Sequence, residues 1–237
     1  MNLDFSWLAD PYYQYWLLRG LGTTVLMSVL GLVLMMVIGV AGALVIHLRV
    51  PGLATLTTLF VEMFRNTPPL VQLFFLYFML SEMGLTLTDP ATGQAIPIFS
   101  GFTCAVLSLG LYNGALAIEI IRSGLLAVPS QTVEGARSLG YTRVQTFRHI
   151  ELPIGLRLSM PAMTNNVVSL IKTSNQAALV AVADIMYTAT QIMLENFRNL
   201  EVMIFIWVVY VLLASLAVVA MRRIDRLIRI PGYGAAA

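Results

Sequence analysis

A short polar segment, Lys172 followed by Ser174, Asn175 and Gln176, interrupts an otherwise apolar stretch of the chain. An ammonium group can pair with a carboxylate, and the neighbouring hydroxyl and amides can hydrogen-bond the other polar atoms of a small ligand. An ionisable side chain at membrane depth is costly and usually faces a cavity or a partner. We therefore interpret these four residues as substrate-pathway candidates, in preference to a structural lysine that snorkels or forms a salt bridge.

Three further polar residues, Asn113, Glu119 and Asp184, are candidates for the same pathway. Asn113 and Glu119 lie six residues apart, so they do not share one stripe of a helix. Glu119 has a competing structural interpretation, because Arg122 follows three residues later and can pair with it. Asp184 is expected near the outer end of its membrane span.

Catalytic and metal-binding chemistry finds little support in the sequence. The only histidines are His47 and His149, without an H-E-x-x-H motif or paired aspartates, so no metal site is expected. Cys104 is the single cysteine, which excludes an internal disulfide. The chain has no G-x-x-x-x-G-K-[ST] loop, so it is not expected to bind ATP in that way. An intramembrane enzyme and a passive channel are the competing function classes.

Composition indicates that long apolar helices position these residues in a membrane. The chain has 237 residues, 58% hydrophobic and 11% charged, with a mean hydropathy of +0.82. A hydrocarbon core of about 30 Å requires about 20 residues of helix. Five runs predict five spans in one all-α domain covering residues 1–237: approximately 20–46, 58–82, 97–121, 158–182 and 202–221. In the second span, Glu62 and Arg65 are expected to form an i,i+3 clamp.

Arginines are distributed unevenly between the segments that join these spans. Five lie between residues 122 and 157 and four follow the last span, whereas residues 82–100 contain none. Basic residues mark cytoplasmic loops, so the N-terminus is predicted outside and the C-terminus inside, with Arg19 as a minor exception. The first apolar run is longer than the hydrophobic region of a signal peptide, and Asp4 and Asp10 precede it where a signal peptide has basic residues. The run is therefore expected to remain in the protein as a membrane span.

Residues 129–153, here called the polar loop, have the pattern of two short capped helices. Ser130 is placed to cap the first, and Gly140 to end it in a left-handed conformation. Thr142 and Gln145 have the spacing of a capping box for the second helix, which Pro153 is expected to end. A loop that only fixes topology does not need two capped helices, so we predict a docking surface for another protein.

The polar loop resembles the EAA loop of bacterial ABC-importer permease subunits. Glu134-Gly135-Ala136, Gly140 and Ile150-Glu151-Leu152-Pro153 fit its pattern of E-A-A, three residues, G, nine residues and I-x-L-P. Gly135 occupies the second position of that pattern, where the first alanine is expected, and glycine weakens the helix by up to about 1 kcal/mol relative to Ala. The resemblance implies that Glu134, Gly135, Ala136, Arg137 and Gly140 couple the chain to an ATPase.

Four other segments are similar to the polar amino acid branch of that family, which includes histidine, glutamine and glutamate/aspartate permeases. They are LGTT at 21–24, FRNTPPLVQ at 64–72, NGALAIEIIRSGL at 113–125 and LIKTS at 170–174. The resemblance implies an all-α, type I ABC-importer-like fold with five transmembrane helices. The polar loop would then be a cytoplasmic coupling loop between the third and the fourth helix.

The resemblance also implies the partners of such a subunit in the lipid bilayer of the bacterial inner membrane. These are a second permease subunit, identical or homologous, a dimeric ATP-binding cassette subunit that would hold ATP and Mg²⁺, and a periplasmic substrate-binding protein. The substrate would be a polar amino acid or a related small zwitterion such as an opine. No cofactor is expected in this chain, and a net charge of only +2 gives no support for nucleic-acid binding.

Overall fold

The structure, a computed structural model, describes residues 3–88, 93 and 95–228 as a mainly helical chain. The helices are α1 (Pro11–His47), α2 (Leu53–Arg65), α3 (Pro69–Glu82), α4 (Gly101–Leu126), α5 (Ser130–Ser138), α6 (Arg143–Thr146), α7 (Leu152–Thr173), α8 (Ile185–Asn196) and α9 (Asn199–Leu227). Short 3₁₀ segments lie at Ser6–Ala9 and Ser174–Val180, and a π turn lies at Phe147–Glu151. The last nine residues of the chain lie outside the described part.

A short two-stranded antiparallel ribbon lies between α3 and α4, in an otherwise helical part of the described chain. Its strands are β1 (Thr86–Thr88) and β2 (Ala95–Pro97), with Leu87 opposite Ile96. Each strand has only three residues, too few for an alternating pattern to be recognised in the sequence.

Three helices within the described residues are long and apolar enough to cross a membrane alone, namely α1, α4 and α9 with 37, 26 and 29 residues. The helical stretch Arg143–Val180 and α8 form a further apolar pair, bent by 53°. α3 is apolar but has only 14 residues. Each predicted span therefore contains an apolar helix, while the number of membrane crossings stays a prediction.

Two of the predicted spans are interrupted. The 58–82 span is split into α2 and α3, because Pro68 and Pro69 lack the N–H groups that a continuous helix requires and Pro69 instead occupies the first turn of α3. The 158–182 span loses its α-helical form after Thr173 and continues as the 3₁₀ segment. The 97–121 span is shifted to the bounds of α4, because the Ser100 hydroxyl caps that helix by accepting from the Thr103 N–H.

α1 packs closely along α4, the most buried of the three long helices. A Cβ atom placed on Gly39 of α1 would lie 2.6 Å from the Cβ atom of Ala117 in α4, so only glycine fits there. Gly124 of α4 likewise approaches the backbone of Gly155 in α7. Small residues at such contacts let helix backbones approach in a membrane, where dispersion contacts replace hydrophobic burial as the main attraction. α4 is thereby fixed between α1 and α7.

A second apolar cluster joins the N-terminal segment to α8 and α9. Trp7, Leu17, Ile185, Ile192 and Val202 are all buried there. The Asp10 carboxylate starts α1 by accepting from the Tyr12 N–H at 2.9 Å. The aromatic residues Tyr12, Tyr13, Tyr15 and Trp16 lie on the first turns of α1.

Candidate functional site

The break between α2 and α3 is closed by a buried glutamine. The Gln72 side-chain Nε2 donates to the carbonyl oxygens of Phe64 and Thr67 at 2.7 and 3.0 Å, and approaches the Thr67 hydroxyl at 2.6 Å. Phe64 belongs to the last turn of α2, whose carbonyls have no partner within that helix. Gln72 supplies a hydrogen-bond donor to one of these carbonyls, so the FRNTPPLVQ segment stabilises the bend between α2 and α3.

The break also positions Arg65, which forms an ion pair that differs from both predicted ones. Its Nη1 atom contacts both carboxylate oxygens of Glu119 in α4 at 2.7 Å. The expected pairs Glu62–Arg65 and Glu119–Arg122 are therefore wrong in this structure, since Arg65 and Glu119 bind each other across 54 residues. As a result, Glu119 ties α4 to α2 and its carboxylate is already engaged.

Three of the seven pathway candidates lie around one small cavity between α3, α4 and the end of α7. Asn113, Ser174 and Gln176 line it together with the apolar side chains of Leu73 and Leu109. The cavity volume is about 10 Å³. That is roughly the space of a single water molecule, so an amino acid does not fit without helix movement.

A buried amide pair holds the wall of this cavity. The Asn166 side chain of α7 donates to the Asn113 carbonyl oxygen at 3.0 Å and approaches the Met35 sulfur at 3.4 Å. The Asn113 side chain donates to the Leu109 carbonyl at 2.8 Å. Within the described residues, both side-chain carbonyl oxygens lack a hydrogen-bond partner. Asn113, Asn166, Ser174 and Gln176 are here called the polar centre.

Asn166 is absent from the residues proposed from sequence. The sequence carries a signal for it, because a polar amide inside a predicted membrane span needs a hydrogen-bond partner within the protein. The signal is weaker than that of Lys172, since a neutral amide costs less in a membrane than an ionised side chain. Burial distinguishes it, since Asn166 is 4% exposed while the adjacent Asn165 is exposed.

Lys172 and Asn175 do not line the cavity, although they neighbour it in sequence. Lys172 lies in the last turn of α7, and both side chains are exposed on the surface of this chain. In the part of the chain that the structure describes, no carboxylate pairs with Lys172, and Glu119 is held by Arg65. The Lys172 ammonium is therefore free for a group outside this chain.

Asp184 caps α8 and lies apart from the polar centre. It is completely buried, and its Oδ1 atom accepts from the Tyr187 N–H at 2.8 Å. The Thr24 hydroxyl of α1 accepts from the neighbouring Ile185 N–H at 3.0 Å, which fixes the start of α8 against α1. The interruption of the fourth span brings Asp184 to a helix start, so its role in this structure is capping.

The polar loop begins with α5, which exposes charged side chains on a helix anchored by one small residue. Glu134 and Arg137 are exposed, whereas Ala136 is 7% exposed. Gly135 has open space where a side chain would lie. Gly140 follows the helix with φ +90°, the left-handed conformation predicted for it. The N-cap position is occupied by Pro129, not by Ser130, which is the first helical residue.

The second half of the polar loop continues directly into α7. The capping box is confirmed, with the Thr142 hydroxyl accepting from the Gln145 N–H and the Gln145 side chain accepting from the Thr142 N–H. Pro153 does not end this helix, contrary to expectation. It lies in the first turn after the π turn Phe147–Glu151, where the wider backbone accommodates a residue without an N–H.

One contact ties the base of the polar loop to α1. The His47 Nε2 atom lies 3.0 Å from the Glu151 carboxylate, and the His47 ring packs on Phe147 with centroids 5.0 Å apart. His47 ends α1, whereas Phe147 and Glu151 bound the π turn. The base of the polar loop is therefore tied to α1 as well as being continuous with α7.

The comparison with protein families places the chain in a class of transport proteins. A family described as "Binding-protein-dependent transport system inner membrane component" matches residues 36–230, well over half of the chain. The chain belongs to this family. It is therefore an inner-membrane component of a transport system and not an enzyme.

Similar proteins carry more specific names. The probable amino-acid ABC transporter permease protein PatM of Vibrio harveyi is 32% identical over 213 residues, covering 89% of each chain. The probable glutamine ABC transporter permease protein GlnM of Bacillus subtilis is 32% identical over 211 residues, covering 89% of this chain and 91% of its own.

A solved structure agrees with this assignment. The crystal structure of an amino acid ABC transporter with histidines has a TM-score of 0.81 at 26% identity, covering 95% of this chain and 99% of that one. The expected class, an all-α membrane protein with the fold of type I ABC-importer permeases, is confirmed.

Proposed function

We propose that this chain is a permease subunit of an ATP-driven importer for polar amino acids. Its family and the names of its relatives support this class. The structural observation that carries the proposal is the polar loop. Its helix α5 presents the exposed Glu134 to a partner, while buried Ala136 and left-handed Gly140 hold the helix in place.

The polar loop is the proposed contact with a separate, dimeric ATP-binding cassette subunit, which would hold ATP and Mg²⁺. α6, the π turn and α7 form one continuous helical stretch from Arg143 to Thr173. At 1.5 Å per residue this stretch is about 45 Å long, enough to cross a membrane. A displacement of α5 by the ATPase is thereby carried to Lys172 and the polar centre at the other end.

The pathway is proposed to form between this chain and a second permease subunit, identical or homologous. The cavity at the polar centre is too small for an amino acid, and Lys172 and Asn175 do not line it but are exposed. A second chain packed on this surface would enclose both side chains in a shared pathway. Lys172 then supplies the positive charge for a substrate carboxylate, while Ser174 and Gln176 provide hydrogen bonds.

The proposed orientation has the N-terminus in the periplasm and the polar loop in the cytoplasm. The arginine distribution supports it, because basic residues are retained on the cytoplasmic side. A periplasmic substrate-binding protein would then deliver the amino acid to the opposite face. Cysteines introduced at Thr88 and Thr142, in a Cys104→Ala background, test this orientation with a membrane-impermeant thiol reagent. Labelling of Thr142 but not Thr88 in intact spheroplasts contradicts it.

The function is tested with the assembled transporter in proteoliposomes. We expect the chain to co-purify with an ATPase whose hydrolysis rises when binding protein loaded with a polar amino acid is added. A Glu134→Lys variant should insert into the membrane yet lose this stimulation, because it reverses an exposed charge of the docking helix. Equal stimulation and uptake in the Glu134→Lys complex would remove the polar loop from the coupling mechanism.

A further inference from the structure

A cleft of about 660 Å³ lies between the polar loop and the ends of α1 and α4. Four arginines from four different elements line it. Arg49 follows α1, Arg122 is in the last turns of α4, Arg137 is on α5 and Arg143 starts α6. The site is here called the basic cleft. Membrane topology does not explain why the four arginines meet, because the orientation of a membrane protein depends on the number of basic residues in its cytoplasmic loops and not on their position in a shared cleft.

The basic cleft carries a strong positive charge that the described part of the chain leaves without neutralising carboxylates. Its one lining carboxylate, Glu151, is engaged by His47 at 3.0 Å. Among the described residues, none of the four cleft arginines forms an ion pair. By contrast, the Arg65, Arg157 and Arg198 side chains each pair with a carboxylate of this chain. The cleft therefore has four guanidinium groups available for an external anion.

The walls of the basic cleft combine these charges with exposed apolar side chains. Leu126 and Val144 are 68% and 74% exposed, and Leu48 is 50% exposed. Guanidinium groups bind phosphate oxygens through paired hydrogen bonds, and basic pockets between helix ends at the cytoplasmic boundary suit anionic lipid headgroups. A phospholipid provides both the phosphate and the adjoining acyl chains that such mixed walls require.

We propose that the basic cleft binds the headgroup of an anionic phospholipid from the cytoplasmic leaflet. The bound phosphate bridges Arg49 and Arg122 at the helix ends to Arg137 and Arg143 on the polar loop. The lipid thereby stiffens the connection between the polar loop and the transmembrane helices, and coupling depends on membrane composition. This inference rests on the cytoplasmic placement proposed above, but not on the identity of the transported amino acid.

The test measures lipid affinity directly, with the purified transporter complex in neutral detergent. Short-chain phosphatidylglycerol is titrated and bound lipid is counted by native mass spectrometry, with phosphatidylcholine as the uncharged comparison. Arg49→Gln/Arg122→Gln is the test variant. Arg222→Gln/Arg223→Gln is the matched control, because it removes the same charge from exposed residues at the end of α9 that do not line the cleft.

We expect phosphatidylglycerol affinity to fall roughly fivefold for each arginine removed, or roughly 25-fold for the double variant. The control pair should stay within roughly twofold of the wild type, since Arg222 and Arg223 do not line the cleft and reach it only through screened long-range charge. Arg49→Lys/Arg122→Lys should retain most of the affinity, which verifies that charge and not folding determines the result. Stimulated ATP hydrolysis in nanodiscs should rise with phosphatidylglycerol in the wild type but not in the glutamine variant.

Three results overturn the proposal. Equal losses of phosphatidylglycerol affinity in the cleft variant and the control variant would mean that binding depends only on the overall charge of the protein. Displacement of the lipid by equimolar inorganic phosphate would assign the cleft to a small anion. Weaker association of the ATPase with unchanged lipid affinity would assign it to an acidic surface of that subunit. None of these results depends on amino acid uptake, so they are separable from failure of the proposed function.

Discussion

Thr142 and Gln145 in the polar loop exchange their hydrogen bonds across three residues, whereas Asn166 in the polar centre reaches Asn113 across 53. The two short helices of the loop hold their shape through local contacts and leave Glu134, Arg137 and Arg143 exposed. At the base of the loop, Glu151 contacts His47 of α1. The polar centre exists only when α4 and α7 pack together. Changes in the loop should therefore affect coupling with little loss of stability, while changes in the polar centre should affect stability itself.

The largest expected effect comes from Gly140→Val. Gly140 has φ +90°, and a β-branched residue is strongly disfavoured in the left-handed region, at a cost of about 1–2 kcal/mol. The backbone after α5 then shifts and the docking helix is misplaced. We expect membrane insertion to be unchanged, while uptake by reconstituted transporter falls to background.

Gly135→Ala is the matched control, since it also adds a methyl group to a glycine of the same loop. Nothing lies within 4 Å of the position that its Cβ would take. Alanine should stabilise α5 by up to about 1 kcal/mol, with uptake retained. If valine at Gly140 supports normal uptake, or alanine at Gly135 abolishes it, backbone conformation does not explain the role of this loop.

The second prediction concerns Lys172, the only lysine in the chain. Its exposed ammonium has no carboxylate partner among the described residues, so Lys172→Met should leave folding and assembly unchanged. Loss of a hydrogen bond to a charged group costs about 1.5–3 kcal/mol, so uptake should fall at least roughly tenfold. The melting temperature of the complex and the initial uptake rate are measured on the same preparation.

Amine labelling sharpens this test, because Lys172 and the chain terminus are the only amino groups. A small amine reagent should modify Lys172 in the isolated chain and be excluded once the second permease is bound. A Lys172→Met complex that imports at the wild-type rate removes the residue from the pathway. A complex that instead melts at a lower temperature assigns Lys172 to a structural pair with the second chain.

The third prediction, Asn166→Leu, tests the polar centre through stability. The change keeps the number and branching of side-chain heavy atoms but removes the donor to the Asn113 backbone carbonyl, leaving that group less well satisfied. The expected loss is about 1–3 kcal/mol, read as a lower melting temperature of the detergent-solubilised chain. Asn165→Leu is the control, because Asn165 is exposed and should change stability by less than about 0.5 kcal/mol. Equal losses of stability at Asn166 and Asn165 would show that the buried hydrogen bond of Asn166 does not stabilise the helix packing.

The smallest effect is expected at the Arg65–Glu119 pair. Both side chains are more than one third exposed, at 54% and 37%, so their coupling should not exceed about 1 kcal/mol. A double-mutant cycle with Arg65→Gln and Glu119→Gln measures that coupling as a difference in unfolding free energy. The same cycle with Glu62→Gln replacing Glu119→Gln should give a coupling near zero. A larger coupling at Glu62 would restore the pairing expected from sequence spacing.

These pairs show where sequence spacing fails. The i,i+3 rule predicts Glu62–Arg65 and Glu119–Arg122 because both lie one helical turn apart. It does not consider that the break at Pro68 ends α2 beside α4, where Arg65 meets both oxygens of one carboxylate. The capping-box pattern has the same three-residue spacing, and it predicted the contacts of Thr142 and Gln145 correctly. Each of these side chains bonds to the backbone of its own helical turn, so tertiary packing does not change its partner.

The sequence by itself determined the apolar helices, the left-handed Gly140 and the capping box of the polar loop, because each depends on residues within one or two turns. Tertiary structure decided which polar groups meet. It buried Asn166 against Asn113, turned Asp184 into a cap and left Lys172 on the surface. It also let the helix continue past Pro153 and brought four arginines to one cleft. The physical reason is that burial and pairing depend on helix packing, which close glycine contacts such as Gly39 with Ala117 set across distant parts of the chain.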